Sequence, residues 1–148
     1  MIAFDSACPS DEAAIRELLR ASDLPTDDLP PGFFDRFAVA RFEGRVVGVA
    51  GFEMEEAIAM ARSLAVSPAF RKEGIASSLL TAIEERAASR GGSVIYGLTL
   101  TAEVFLTTRG YERIERSDAP DEIARTFEFT ELCPESAVLM RKVLNQMD

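Results

Sequence analysis

Three residues in one short stretch have the types and spacing to hold an anion. Arg71, Lys72 and Gly74 stand just ahead of a segment in which Leu79, Leu80, Ile83 and Ala87 recur at three- and four-residue intervals. That periodicity predicts an amphipathic helix over 75–90, and Gly91-Gly92 is a common stop for one. The first N–H groups of a helix have no partner inside it and carry the positive end of its dipole. Two cations ahead of such an end, with a glycine that leaves the backbone bare, read as a site for phosphate or pyrophosphate. The stretch lacks the Gly-Lys-Ser/Thr ending of a nucleotide P-loop and the three-glycine dinucleotide fingerprint, which points away from ATP and NAD. The alternative is a strand, a turn and a helix with no ligand, an arrangement many α/β proteins share.

Other groups are candidates for proton transfer and substrate binding. Glu53, Glu55 and Glu56 close a β-rich segment, either as working carboxylates or as turn residues facing solvent. Arg62 lies on a strand, where an arginine must find an anion or reach solvent. It can clamp a substrate oxyanion bidentately, or pair with Glu53 or Glu55. The chain has no histidine, which removes a histidine triad, a histidine base and most zinc sites.

The elements that must position these groups follow from pattern. Residues 1–4 read as a short edge strand. A helix follows, with Ser10 as N-cap and Ala14, Ile15, Leu18 and Leu19 as its apolar stripe. Three prolines make 24–32 a loop. Residues 37–42 and 45–54 form a hairpin around Glu43-Gly44, and 57–66 form the next strand, antiparallel to its neighbour. After the 75–90 helix come a strand over 93–100, a helix over 102–109, a strand over 111–116, a helical piece over 121–126 and a last strand over 136–144. The fold class is α+β, a three-layer arrangement of one mixed, mostly antiparallel sheet of six to seven strands with helices on both faces.

The totals agree with that outline. A chain of 148 residues with 47% hydrophobic content suits a single domain over 1–148 with one core. A net charge of −9 repels nucleic-acid phosphates, so no nucleic-acid partner is expected. No apolar run reaches the length of a membrane span, and Met1-Ile2-Ala3-Phe4-Asp5 lacks the layout of a signal peptide. Two cysteines, Cys8 and Cys133, make no disulfide framework, so the expected location is cytoplasmic with no membrane partner.

Arg71-x-x-Gly74-x-Ala76, after a Leu-Ala-Val strand and a Ser-Pro turn, resembles the acetyl-CoA signature of the GNAT acetyltransferase superfamily. Arg109-Gly110-Tyr111 is similar to the glycine-aromatic ending of that superfamily's later helix, and the resemblance covers nearly the whole chain. It implies an N-acetyltransferase with acetyl-CoA as cofactor, and no metal. The pantetheine would insert where two central strands splay, those carrying Leu64-Ala65-Val66 and Leu98-Thr99. A backbone N–H at or beside Leu64 would polarise the thioester carbonyl. Arg71, Lys72, Glu73, Gly74, Ile75, Ala76 and Ser77 would hold the pyrophosphate, and Thr99, Ala102 and Phe105 would lie near the pantetheine and thiol. Glu53 stands where relatives place a carboxylate that acts through water. Many members carry a tyrosine acid four residues before the glycine; here that position is Leu106, so no acid is assigned.

The C-terminal segment, with Glu128-Phe129, Leu132-Cys133-Pro134 and Ser136-Ala137-Val138, resembles the small GNAT subfamily associated with arsenic-resistance genes and N-acetylglutamate-synthase-like domains. That implies a small amino-acid-like acceptor, bound with help from Arg62 and Glu55, and a role in resistance or metabolism. Trivalent arsenic wants two or three thiolates and only Cys8 could join Cys133, so Cys133 reads as a packed residue. The superfamily commonly dimerises through its last strand, which makes a homodimer one implied state. A second reading keeps the fold but makes it an acyl-CoA sensor or partner module without turnover.

Overall fold

The computed structural model describes residues 1–24, 26, 29, 36–126 and 137–144. Seven strands form one mixed sheet in the order β1-β2-β3-β4-β5-β7-β6. In chain order these are β1 (Ile2–Ser6), α1 (Glu12–Ala21), β2 (Phe37–Phe42), β3 (Arg45–Glu55), β4 (Ile58–Val66), α2 (Ile75–Ser89), β5 (Val94–Thr99), α3 (Glu103–Thr107), β6 (Glu112–Ile114), α4 (Asp121–Ala124) and β7 (Val138–Val143). The chain divides into two compact units, 1–52 with 63–86, and 53–62 with 87–148. The division falls inside β3, after Phe52, and inside β4, after Arg62.

In the first unit, β1 pairs antiparallel with β2, and β2 with β3 around a turn in which Glu43 and Gly44 take φ of +51° and +79°. Its core gathers Ile15 and Leu19 of α1, Phe37 and Val39 of β2, Val49 of β3 and Ala65 of β4. The expected apolar face of α2 is real: Ile75, Leu79, Leu80 and Ile83 are all buried. Each such side chain stabilises the fold by about 2 kcal/mol relative to exposure. Gly48 lets α2 approach β3, since a Cβ there would stand 3.0 Å from Leu79 Cδ1 and 3.1 Å from Ile75 Cγ2.

The start of α1 differs from expectation. A 3-10 turn, Pro9–Asp11, precedes the helix, and the side chain that closes it belongs to Asp11, not Ser10. The Cys8 N–H donates to Asp11 Oδ2 at 2.7 Å, while Asp11 N–H donates to the Cys8 carbonyl at 2.8 Å. Arg41 of β2 grips the same carboxylate with two bonds of 2.7 and 2.8 Å and reaches Asp5 of β1 at 3.1 Å. The Arg41 bonds hold the Asp11 carboxyl below the usual carboxylate range against the opposing effect of burial. Ala14 is exposed, so the buried stripe of α1 is Ile15 and Leu19, with Leu18 packed beside them.

In the second unit, β5 pairs antiparallel with β7, and β7 with β6. Parallel pairing joins β4 to β5 over Ile58–Met60 and Val94–Tyr96. Met60, Tyr96, Ile123 and Leu139 form its core. The helix α2 ends here as its glycines lead one to expect: Gly91 N–H donates to the Ala88 carbonyl at 3.0 Å and Gly92 N–H to that of Ala87 at 2.8 Å, the paired bonds of a Schellman ending. The later elements are shorter than their sequence patterns, most of all β6, which turns into a 3-10 turn at Arg116. The last strand has β5 on one edge and β6 on the other, so over 139–141 it offers no open edge to a second copy; the outer strands are β1 and β6. Among the described residues no helix is long and apolar enough to cross a membrane.

Candidate active site

The expected site residues fall into two main groups, one in each unit. The first is the entrance to α2. Val66 ends β4, and the next turn is pinned by Ser67 N–H donating to the Val47 carbonyl at 2.8 Å. The Phe70 ring packs against Phe42 at a tilt of 51°, with ring centroids 5.2 Å apart. Arg71 then folds back, its Nε donating to the Val66 carbonyl at 3.0 Å. Lys72 takes a φ of +67° and Gly74 one of +81°. The left-handed pair turns the chain so that 74–77 open the helix, with the Gly74 carbonyl accepting the first helical bond from Ser78 at 3.1 Å.

A Cβ placed on Gly74 would meet no heavy atom within 4 Å, so the space beside that residue is open. Arg71, Lys72, Glu73 and Gly74 are all exposed, whereas Ile75 is buried and can offer a ligand only its backbone. The arrangement presents positive dipole and two cations to solvent around bare backbone, the requirement for a phosphate-type anion. Ala65 and Val66 are buried, so their contribution is likewise through main chain. Before them, Ser63 has a φ of +60°, a left-handed residue inside a strand. Such a residue rotates the peptide that follows and breaks the strand's regular hydrogen-bond phase. Leu64 comes directly after it.

The second group lies on the hairpin of β3 and β4 in the other unit. Arg62 Nη1 donates to Glu53 Oε2 at 2.8 Å, one of the two arrangements the sequence left open for Arg62. The pair is unequal: the Arg62 side chain is 6% exposed and that of Glu53 39%. Glu55 is bonded to Arg125, which follows α4. Glu53 and Glu55, two apart on β3, share a face, as do Met60 and Arg62 on β4. On that side α4 is held down by Ile123, which packs with Met60, and by Thr126, whose hydroxyl lies 3.5 Å from Met60 Sδ.

The remaining candidates have structural duties. The Thr99 hydroxyl accepts the Ala102 N–H at 2.8 Å and the Thr101 N–H at 3.3 Å, so it closes the turn that leads into α3. Phe105 is half-buried, with the Arg109 guanidinium 4.2 Å above its ring. Leu106, at the position where a tyrosine acid would stand, is buried. Both tyrosines are buried too: Tyr96 lies in the second unit's core, and Tyr111 sits under Lys142, whose Nζ is 5.7 Å from the ring centre. Cys133 and the segment 127–136 lie outside the described residues. Sequence reasoning missed Ser63 and Arg125. A left-handed serine has no sequence mark, and no spacing rule links Glu55 to a residue 70 positions away.

A family model described as the Acetyltransferase (GNAT) family matches residues 6–113. An amino-acid acetyltransferase of Aeromonas salmonicida is 28% identical over 95 residues, 63% of this chain and 22% of that protein. An N-acetylglutamate synthase from Neisseria gonorrhoeae, solved with coenzyme A and N-acetyl-glutamate, matches with a TM-score of 0.84 at 18% identity, over 98% of this chain and 35% of that one. A Mycobacterium tuberculosis protein solved with CoA and NLQ matches with a TM-score of 0.84 at 23% identity, over 97% of this chain and 99% of that one. The chain thus spans 22% of the length of the curated relative it matches. At such identities the two structural matches speak for the fold.

Proposed function

The chain belongs to the Acetyltransferase (GNAT) family, and from that membership we propose that it transfers the acetyl group of acetyl-CoA to the amine of a small amino-acid-like acceptor. The observation that carries the reading is the entrance to α2, where a left-handed Gly74 with open space beside it follows the exposed Arg71 and Lys72. The coenzyme's diphosphate would sit there, on the N–H groups of 74–77. Leu64, Ala65 and Val66 would meet the pantetheine through main chain. Relatives of the same fold solved with coenzyme A support the choice of cofactor.

The reaction is direct attack in a ternary complex. The acceptor nitrogen's lone pair adds to the thioester carbon, the nitrogen gives up one N–H proton to water as the C–S bond breaks, and the CoA thiolate leaves and takes a proton back from water. Polarisation of the carbonyl by the N–H at Leu64 would supply about 3 kcal/mol, as such donors do elsewhere. An amine near neutral pH is mostly protonated, so a base must first act. Glu53 suits that role because Arg62 fixes one carboxylate oxygen and Oε1 has no partner among the described residues. The buried Arg62 is a positioning residue for that base.

The test is acceptor-dependent release of CoA thiol across a panel of amino acids and simple amines. Release with one class of amino acid supports the reading; tight acetyl-CoA binding with no release on any acceptor supports the second, an acyl-CoA-binding module. The burial of both tyrosines favours that second reading only if a tyrosine acid is obligatory, and a CoA thiolate needs none to leave. A place in arsenic or toxic-metabolite resistance would come through the acceptor, as an arsenic-containing amino acid in the panel. We place the reaction in the cytoplasm, consistent with two cysteines and no disulfide framework.

A further inference from the structure

We propose that Arg125 is the residue that grips the acceptor's carboxylate. The inference rests on the acetyltransferase reading and deepens it. An amino-acid acceptor brings an anion to the face where Glu53 waits, and two arginines are bonded to the carboxylates of that face. Arg62 is poorly suited to the task. Its side chain is 6% exposed and its Nη1 already holds Glu53, so using it for substrate would break a buried pair and release the base.

Arg125 has the opposite properties. Its side chain is 59% exposed, its partner Glu55 is 47% exposed, and a pair that open to water is worth little and exchanges one carboxylate for another readily. The guanidinium fork matches an incoming carboxylate with two parallel bonds. Position agrees with chemistry. Glu55 is two residues from Glu53 on one face of β3, about 6.6 Å along the strand, so an anion taking Glu55's place on Arg125 stands one strand repeat from the base. Thr126 and Ile123 anchor the segment that carries Arg125 onto Met60, two residues before Arg62. Displaced from Arg125, Glu55 is left in water and costs little.

The experiment measures CoA release with the best amino-acid acceptor and with its α-carboxamide, for the parent protein, Arg125→Ala and Arg125→Lys. The parent should prefer the free acid over the amide by roughly tenfold or more, the value of a charge-assisted bond. Arg125→Ala should bring that preference close to unity through a higher KM for the free acid, with the KM for acetyl-CoA unchanged. Arg125→Lys should keep part of the preference, which a purely structural role would not produce. Full preference retained in Arg125→Ala overturns the inference while leaving the acetyltransferase reading intact, and so does a parent that prefers the amide. Failure of the parent to turn over any amino acid overturns both.

Discussion

The entrance to α2 and the acidic face of β3 are both proposed to hold a charged group, and they are built from different parts of the chain. At the entrance the main chain is the distinctive part: Lys72 and Gly74 are both left-handed, and the cation Arg71 is itself tied to the Val66 carbonyl. On β3 the side chains are, as Glu53 and Glu55 each answer to an arginine 9 or 70 residues away. Amides aimed by backbone geometry lose no rotamer freedom when a ligand arrives, and suit an anion that is always the same. An exposed pair that can exchange, such as Arg125–Glu55, suits a substrate that must enter and leave, while the buried Arg62 keeps Glu53 in place. On the proposed function, the invariant cofactor and the variable acceptor fall to different kinds of architecture.

The largest effect should come from breaking the backbone-built half. Gly74→Glu puts a residue with a Cβ at φ +81° and a negative charge where the diphosphate is proposed to sit. Strain of about 1 kcal/mol and like-charge repulsion of several kcal/mol should raise the Kd for acetyl-CoA by roughly 1,000-fold. Calorimetry checks this, and unchanged affinity would remove the diphosphate from this entrance. Next in size is Glu53→Gln on the side-chain-built half. It should lower kcat by on the order of 100-fold, most strongly below the pKa of the acceptor amine, and leave acetyl-CoA affinity as it was. A pH profile matching the parent's rules Glu53 out as the base.

The same division explains what the sequence discloses. The helix α2, its glycine ending and the bare Gly74 are legible because each depends on residues a few positions apart: apolar period, stop signal, glycine at a turn. The mixed sheet is legible for the same reason, from alternating strands and the Glu43-Gly44 turn. Ser10 is misread as the cap because one turn of 3-10 helix moves the closing role to Asp11, and that turn is stabilised by Arg41, 30 residues on. Arg62 is legible as a residue needing an anion, but which anion is a tertiary fact. The short β6 and α3 show the opposite failure, local pattern outrunning the pairing that tertiary structure supplies.

Asp11 sharpens the comparison, since it is a side-chain device in the unit that holds the backbone-built entrance. Asp11→Asn removes the charge from a largely buried pair and should cost about 2 kcal/mol, between the values for exposed and fully buried pairs. The folded-state pKa of Asp11 is depressed, so its contribution is present above the unfolded value near 3.9 and is lost as pH falls through the folded one. Urea unfolding at pH 7 should therefore separate Asp11→Asn from the parent, and the gap should close under strong acid. Acetyl-CoA affinity of the folded variant should not move. A gap that persists below the folded pKa would mean the loss lies in packing, not in the Arg41 bonds.

The smallest effect tests whether Arg71 serves the entrance as a charge or as a strap. Its Nε bond to the Val66 carbonyl ties the turn to the end of β4, and the rest of the guanidinium remains exposed beside the amides. Lysine keeps the charge but cannot bond Val66 with one nitrogen and face an anion with others, because its three donors radiate from one point. If the amides carry most of the binding, Arg71→Lys should weaken acetyl-CoA by about fivefold, near 1 kcal/mol. Arg71→Ala should lose only slightly more, and high salt should shrink the difference between the two. A loss in Arg71→Lys that matches Gly74→Glu would reverse the ranking, making the side chain the chief holder of the diphosphate and the backbone its support.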